Sequence, residues 1–186
     1  MAPERGAGGR HEGDVDRRPV AARGDRARAS TFVAVDPADA FEVFTQETDL
    51  WWGRGPRYRF GGKRRGTLTL EPKLGGRLFE AFADGPADVF EVGRVLVWEP
   101  GARLVLEWRL TNFAPGERTE VEVTFQAAPG GTNVTVEHRG WSTLPKGHPA
   151  RHGLEGAAVT DMIGTWWGHL LLSMRQYVLE KRSAAD

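Results

Sequence analysis

A histidine in a strand-like run could carry acid–base chemistry. In "TNVTVEHRG" the period-two alternation places His138 on the apolar face with Val134 and Val136. A neutral imidazole in such a setting can orient a ligand carbonyl group or act as a general base. Glu80 and Glu91 are the carboxylates that could complete an acid–base pair. The alternative is a core histidine that is hydrogen-bonded to a backbone group or to water.

Three further histidines lie close enough in sequence to raise the question of a metal site. His148 and His152 are four residues apart, and His169 follows in the next predicted helix. Pro149 and Gly153 in the same segment disfavour the helical geometry that would bring the first two rings to one ion. No acidic ligand completes the set, so we predict no metal site and no cofactor.

Tryptophan, the largest side chain, is concentrated in two adjacent pairs, within "DLWWG" (49–53) and "TWWG" (165–168). Together with the single tryptophans they could line a cavity that stacks against a flat aromatic molecule. The alternative is that the rings fill the core, because a domain of this size needs large side chains to avoid voids. The predicted ligand-binding residues are Trp51, Trp52, Phe79, Trp98, Leu106, Trp108, Phe125, His138, Trp141, Trp166, Trp167 and Leu170.

Composition excludes several classes of function. Lys+Arg and Asp+Glu both number 25 in 186 residues, so the basic footprint of a nucleic-acid-binding protein is missing. The absence of cysteine excludes disulfides, thiolate metal ligands and a cysteine nucleophile. No stretch reaches the roughly 20 apolar residues of a membrane helix, and the N-terminus lacks the apolar segment of a secretory signal. We expect a soluble, cytoplasmic protein that binds neither nucleic acid nor membranes.

The first 29 residues differ in composition from the rest. They contain no phenylalanine, tryptophan, leucine or isoleucine, and so nothing that could nucleate a core. We predict a disordered N-terminal extension over residues 1–29 and one folded domain over residues 30–182. A basic arm for nucleic acid is the alternative, since the segment holds seven arginines against five acidic residues.

Local signals predict a strand and a helix at the start of the domain. Thr31–Val35 has the pattern of a strand, and Asp36-Pro37 follows it. Aspartate at an N-cap accepts a backbone N–H, and proline at the first helical position loses no needed donor. We therefore predict a helix that begins at this point and ends before Gly53.

The middle of the chain alternates as antiparallel strands do. The runs "RLVLEWR", "EVEVTF" and "TNVTVEHRG" each have one apolar and one charged face, as expected when one side of a sheet meets the core. Turns such as Pro100-Gly101, which suits a type II turn, connect antiparallel neighbours. In the run 89–98, Phe90, Val92, Leu96 and Trp98 would share a face, but Arg94 interrupts it. The register stays open there, and a bulge would explain it.

The last predicted element is a long helix. Residues 159–180 contain no proline and carry apolar residues at 163, 167, 170, 174 and 177–178, a helical stripe. Trp167 lies at its centre and should face the sheet, whereas Trp166 lies about 100° around the helix and should be more exposed. The fold class is therefore α+β.

Six segments in this order carry a resemblance to a known family: "DPADAFEVFT", "WWG", "EPKLGGRLFE", "VGRVLVWEPGARLVLEWR", "TEVEVTFQAAPGGTNVTVEHRGW" and "WWGHLLLSMRQYVL". From about Ser30 to Arg182 the chain resembles the SRPBCC superfamily, which has the helix-grip fold of START domains and birch-pollen allergen. Within it, the chain resembles the branch of the homologues of the activator of heat-shock protein 90 (Hsp90) ATPase. The resemblance implies a curved antiparallel sheet wrapped around the C-terminal helix, with a cavity between them for an apolar ligand.

This superfamily places several functions on one scaffold, so three hypotheses follow. The first is a module that binds a small hydrophobic or aromatic molecule. The second is an enzyme of the cyclase or dehydratase kind with His138 as general base. The third is an interaction protein that associates with a chaperone, although residues 1–29 cannot substitute for the additional N-terminal domain of eukaryotic co-chaperones. The oligomeric state is not predicted.

Overall fold

The computed structural model describes residues 25–62, 64, 66–83 and 88–184. Two short 3₁₀ turns, Trp141–Thr143 and Pro149–Arg151, connect the last strand to the last helix. The other elements, in chain order, are β1 (Arg26–Val33), α1 (Pro37–Gln46), α2 (Thr48–Trp51), β2 (Gly66–Leu70), β3 (Arg77–Phe82), β4 (Val89–Glu99), β5 (Arg103–Trp108), β6 (Thr119–Ala128), β7 (Gly131–Arg139) and α3 (Ala157–Ser183).

The seven strands form one antiparallel sheet in the order β1-β7-β6-β5-β4-β3-β2. The first two strands in sequence are therefore the two edges of the sheet, and α1 and α2 connect one edge to the other. Every other strand pairs with its neighbour in sequence through a short connection. This arrangement with a long C-terminal helix is the predicted α+β helix-grip architecture.

The N-terminal boundary of the sheet differs from the prediction. β1 begins at Arg26 rather than Thr31, and Arg26 to Ala29 pair with β7. Assigning residues 26–29 to a disordered extension was therefore wrong. Residues 26–29 include no large apolar side chain, and α3 packs closely over them: a Cβ on Gly164 would lie 3.3 Å from the carbonyl oxygen of Arg28. The small Ala27, which is 2% exposed, suits this narrow space. Residues 1–24 lie outside the described residues.

The start of α1 agrees with the sequence prediction. Asp36 is the N-cap, and its Oδ1 accepts a hydrogen bond from Asp39 N at 2.9 Å. Pro37 occupies the first helical position, where no donor is lost. The helix buries Phe41 and Phe44 against the sheet, so this local signal also fixes which face of the helix enters the core.

β4 contains the irregularity that Arg94 suggested. Its pairing with β3 and its pairing with β5 each shift register once along the strand. Consequently Val95 is buried, whereas Leu96 is 43% exposed. The expectation that Leu96 shares the apolar face of Val92 was therefore wrong. A Cβ on Gly93 would lie 1.6 Å from Glu107 O, so this close approach to β5 admits only glycine.

The main core lies between the sheet and the helices. α3 contributes to this core an apolar stripe with the predicted spacing. Trp167 at its centre is 1% exposed, whereas the neighbouring Trp166 is partly exposed. The predicted rotation of this helix is therefore confirmed. A second, smaller cluster lies beyond the end of β7, with Phe113, Trp141, Leu144, Ala150 and Val159 buried together.

We predict that Trp167→Ala lowers the free energy of unfolding by about 3–5 kcal/mol, because it removes a fully buried indole and leaves a cavity. Trp166→Ala should lower it clearly less, because that ring is partly exposed. Urea denaturation of both variants measures the difference. Equal losses, or a larger loss for Trp166→Ala, would contradict the packing described above.

A polar contact joins α3 to the end of α1. Glu47 accepts hydrogen bonds from Tyr177 Oη, at 2.6 Å, and from Lys181 Nζ. Burial alone would raise the pKa of Glu47, but these two donors lower it below its ordinary value of 4.5. Burial and the same carboxylate raise the pKa of Tyr177 to about 12.

The Glu47 contact should make stability depend on pH. A carboxylate with a lowered pKa contributes stability above its unfolded pKa and loses it as pH falls through the folded one. We therefore expect Glu47→Gln to cost about 1 kcal/mol at pH 7, and the cost to vanish below the folded pKa. Thermal denaturation of both proteins between pH 7 and pH 3 tests this, with Glu42→Gln on the exposed face of α1 as control. A cost that is independent of pH would contradict the contact.

Candidate functional site

The two tryptophan pairs meet each other in the folded protein. The ring centre of Trp52, at the end of α2, lies 5.6 Å from that of Trp167 and 5.8 Å from that of Trp166. Trp108 at the end of β5 completes the cluster, at 6.2 Å from Trp52 and 5.6 Å from Trp167. The pairs therefore form one aromatic cluster between α2, β5 and α3 and do not face each other across an open cavity.

The indole N–H groups of this cluster fasten the loop that follows α2. We call residues 53–62 the pocket loop. Trp52 Nε1 donates to Tyr58 O at 2.9 Å, and Trp166 Nε1 donates to Arg57 O at 3.1 Å. The Tyr58 ring also stacks against that of Trp166, with ring centres 6.0 Å apart. Tryptophans from two distant segments thus determine the position of the loop.

A pocket of about 490 Å³ opens beside this cluster, and we call it the aromatic pocket. It lies between the main core and the smaller cluster beyond β7. Its walls come from the pocket loop, the end of β5, the segment after β7 and α3. The lining residues are Pro56, Arg57, Tyr58, Arg59, Phe60, Trp108, Leu110, Thr111, Asn112, His138, Trp141, Ala150, His152, Met162, Ile163 and Trp166.

Four of the predicted ligand-binding residues line this pocket: Trp108, His138, Trp141 and Trp166. The other eight do not, which corrects their assignment. Most of them belong to the main core, as the alternative interpretation held, and Phe79 lies on the opposite face of β3 with the guanidinium of Arg77 4.7 Å from its ring centre. These eight are Trp51, Trp52, Phe79, Trp98, Leu106, Phe125, Trp167 and Leu170.

His138 is held by two side chains in the wall of the pocket and is 2% exposed. Its Nδ1 accepts a hydrogen bond from Trp167 Nε1 at 3.2 Å, so the ring proton belongs on Nε2. Nε2–H then donates to Thr119 Oγ1 at 2.7 Å, and that hydroxyl donates to Trp108 O at 3.2 Å. Burial lowers the pKa of His138 to about 3. The imidazole is therefore neutral at physiological pH, with both nitrogens engaged.

The predicted acid–base partners of His138 are engaged elsewhere. Glu80 is completely buried, and its Oε2 accepts hydrogen bonds from Phe60 N at 2.7 Å and Gly61 N at 2.9 Å. Glu91 forms an ion pair with Arg94 at 2.9 Å. β3, which carries Glu80, is separated from β7 by three strands of the sheet. Within the described residues no carboxylate is hydrogen-bonded to His138, so the predicted relay is absent, and Glu80 instead positions the pocket loop.

Two buried donors among the lining residues have no hydrogen-bond partner within the described part of the chain: Trp141 Nε1 and Arg59 Nη2. Trp141 is 2% exposed, and its carbonyl oxygen accepts from Arg151 Nη2, which also donates to Leu144 O at 2.9 Å. An unsatisfied buried donor costs free energy, so an acceptor atom beside it would be favourable.

The pocket loop and His152 were not among the residues predicted to bind a ligand. The signal for the loop was present in "RGPRYRF", where arginines alternate with aromatic residues outside any regular element. His152 was considered only as a metal ligand, but it lines the aromatic pocket and adopts a left-handed backbone conformation with φ of 50°. The loop forms a wall of the pocket only through its tertiary contacts with Trp52 and Trp166.

The histidines that were considered as metal ligands have different surroundings in the structure. His148 Nε2 contacts Glu117 at 3.0 Å, and its Nδ1 accepts from Ala150 N. His169 lies exposed on α3. Among residues 25–184, apart from the undescribed positions, no group of three or more histidine or acidic side chains could hold a metal ion.

In the described part of the chain, no helix has the length and apolar character needed to cross a membrane.

Comparison with solved structures finds similar folds. The anthrahydroquino-gamma-pyrone synthase Txn09, solved as a complex with SUM, is 30% identical with a TM-score of 0.51, covering 81% of this chain and 95% of that one. An HSP90 activator from Plasmodium falciparum is 16% identical with a TM-score of 0.57, covering 83% and 96%. Protein MLL2253 from Mesorhizobium loti is 19% identical with a TM-score of 0.55, covering 84% and 97%.

Sequence comparison identifies the family. A search of curated proteins found no match. The family model described as "Activator of Hsp90 ATPase homolog 1-like protein" matches residues 34–178, which run from just before α1 into α3 and contain all of the residues that line the aromatic pocket. This agrees with the resemblance seen in the sequence motifs, and the chain therefore belongs to the activator of Hsp90 ATPase homolog 1-like family.

Proposed function

We propose that this protein binds a planar, polycyclic aromatic molecule with oxygen substituents in the aromatic pocket. The observation that carries the proposal is the composition of the wall, where Trp108, Trp141 and Trp166 adjoin Tyr58 and Phe60. Aromatic side chains bind flat rings by stacking and edge-to-face contact. A volume of about 490 Å³ lies within the usual range for small-molecule sites.

The polar groups of the pocket support oxygen substituents on the ligand. The two buried lining atoms that lack partners in the described residues, Trp141 Nε1 and Arg59 Nη2, are both donors. A ligand satisfies donors by supplying acceptors, such as carbonyl, phenol or carboxylate oxygens. A hydrocarbon would leave both donors unsatisfied and should bind more weakly.

The similarity to the anthrahydroquino-gamma-pyrone synthase supports the same ligand class and favours a second candidate function, an enzyme that cyclises such a molecule. His138 is poorly suited to act as its base, because burial lowers the pKa of the ring to about 3, which makes it a weak base, and both nitrogens are engaged. His152 lines the pocket and is exposed, so it is the better candidate for proton transfer.

The mass of the bound molecule separates the two candidates. Binding alone releases the molecule unchanged after incubation with the protein, whereas an enzyme releases a product of different mass or chromatographic mobility.

Association with a chaperone, which the family description suggests, stays a prediction that a pull-down experiment with purified Hsp90 tests.

A dye that carries the proposed ligand chemistry tests binding directly. We expect 1,8-dihydroxyanthraquinone to bind, and Trp166→Ala to weaken binding by about 3- to 10-fold through the loss of one stacking surface. Isothermal titration calorimetry measures the affinity. Leu172→Ala is the matched control, because Leu172 lies on the same helix but is 58% exposed and does not line the pocket. The proposal is wrong if the dye does not bind, or if the two variants behave alike.

Trp141→Phe tests the role of the unpartnered indole N–H. The substitution keeps an aromatic ring and removes a donor that has no partner, so any loss of stability in the ligand-free protein should come from the smaller ring in the buried cluster. If a ligand oxygen accepts from Nε1, affinity for 1,8-dihydroxyanthraquinone should fall by about 5- to 10-fold. Calorimetry and urea denaturation provide the two readouts. Unchanged affinity would exclude this hydrogen bond.

A further inference from the structure

A second pocket adjoins the aromatic pocket on the other side of the pocket loop, and we call it the arginine pocket. Its volume is about 420 Å³, and it is lined by Arg54, Gly55, Pro56, Arg59, Gly62, Arg64 and Gly66. Three of these residues are arginines, and no carboxylate is among the described lining residues. Pro56 and Arg59 line both pockets, so the two pockets are adjacent at these residues.

Arg59 is a fixed cation at the boundary between the two pockets. Its side chain is 7% exposed, and Nε donates to Gly53 O at 3.2 Å while Nη1 donates to Asp49 Oδ1 at 2.5 Å. Nη2 has no partner within the described residues. Nε and Nη1 therefore orient the guanidinium, while Nη2 stays unused. This arrangement suits recognition of a carboxylate or phosphate.

The carboxylate of Asp49, which is paired with Arg59, does not neutralise the positive charge of the other arginines in this pocket. Besides Arg59, Asp49 accepts a hydrogen bond from Leu68 N at 2.8 Å. Burial raises the pKa of Asp49, but this backbone bond and the contacts with Arg59 and Arg54 lower it below the ordinary value. Arg54 lies 4.0 Å from Asp49 with its side chain 75% exposed, so its charge faces solvent. Arg64 at the rim is paired with Asp88.

We propose that the arginine pocket is an anion subsite for a carboxylate or phosphate group carried by the same ligand whose rings lie in the aromatic pocket. The inference rests on the proposed function and adds the charge of the ligand to it. The ligand would pass over Pro56, with its rings against Trp108 and Trp166 and its anionic oxygens beside Arg59. Arg54 contributes long-range attraction that added salt weakens.

Two anthraquinone probes of nearly the same shape, one anionic and one neutral, test the subsite: anthraquinone-2-carboxylate and anthraquinone-2-carboxamide. At low ionic strength we expect the protein to bind the carboxylate about 5- to 10-fold more tightly, and added salt to reduce this preference. Inorganic phosphate should weaken binding of the carboxylate and leave that of the carboxamide unchanged.

The variant Arg54→Gln/Arg64→Gln should remove only the salt-sensitive part of the preference for the carboxylate without changing carboxamide affinity, whereas Arg59→Gln should reduce the preference to about twofold or less. Arg28→Gln is the matched control for Arg54. The side chain of Arg28 is also exposed, at 65%, and it also lies about one ion-pair distance from a carboxylate, at 3.9 Å from Glu137. Unlike Arg54, Arg28 lines neither pocket. Equal affinity for the two probes would overturn the subsite while leaving the proposed function intact. A preference that survives Arg59→Gln would also overturn it. If neither probe binds, the proposed function itself fails, and the subsite with it.

Discussion

The burial of a neutral histidine beneath α3 is the constraint on which the rest of the structure depends. His138 lies on the core face of β7, where an unpaired imidazole would be costly. Trp167 from α3 and Thr119 from β6 each satisfy one ring nitrogen. The long helix is thereby joined to the sheet by a directional bond as well as by apolar contact. Apolar packing tolerates small rotations of a helix, but this hydrogen bond selects one.

The orientation of α3 in turn determines where the neighbouring indole lies. With Trp167 directed to the sheet, Trp166 reaches the pocket loop and donates to Arg57 O. Trp52 and Glu80 hold the same loop from the other side through Tyr58 O and the N–H groups of Phe60 and Gly61. The loop has no regular secondary structure of its own, yet its backbone is fixed at several points. A binding wall that is held in place before the ligand arrives loses less entropy on binding.

The same arrangement separates the two roles that aromatic residues have in this protein. Trp52 and Trp167 are core residues that fasten other elements, whereas Trp108, Trp141 and Trp166 present surface to the pocket. The solved structures with a similar fold include a synthase and an HSP90 activator, and the fold alone does not choose between such activities. The chemistry of the walls is more specific: aromatic faces, unsatisfied donors and adjacent arginines favour a flat ligand with anionic or carbonyl oxygens.

The sequence by itself determined the features that depend on neighbouring residues. Asp36-Pro37 defined the start of α1, period-two alternation defined the faces of β5 to β7, and the apolar stripe oriented Trp167, since each signal reflects a local hydrogen bond or a regular repeat. The tertiary structure alone decided which faces meet. The pairing of Ala27 with β7, the exposure of Leu96 beyond a bulge and the engagement of Glu80 with the pocket loop all join distant segments. The pocket is the volume those contacts leave unfilled, and no local repeat in a sequence encodes an unfilled volume.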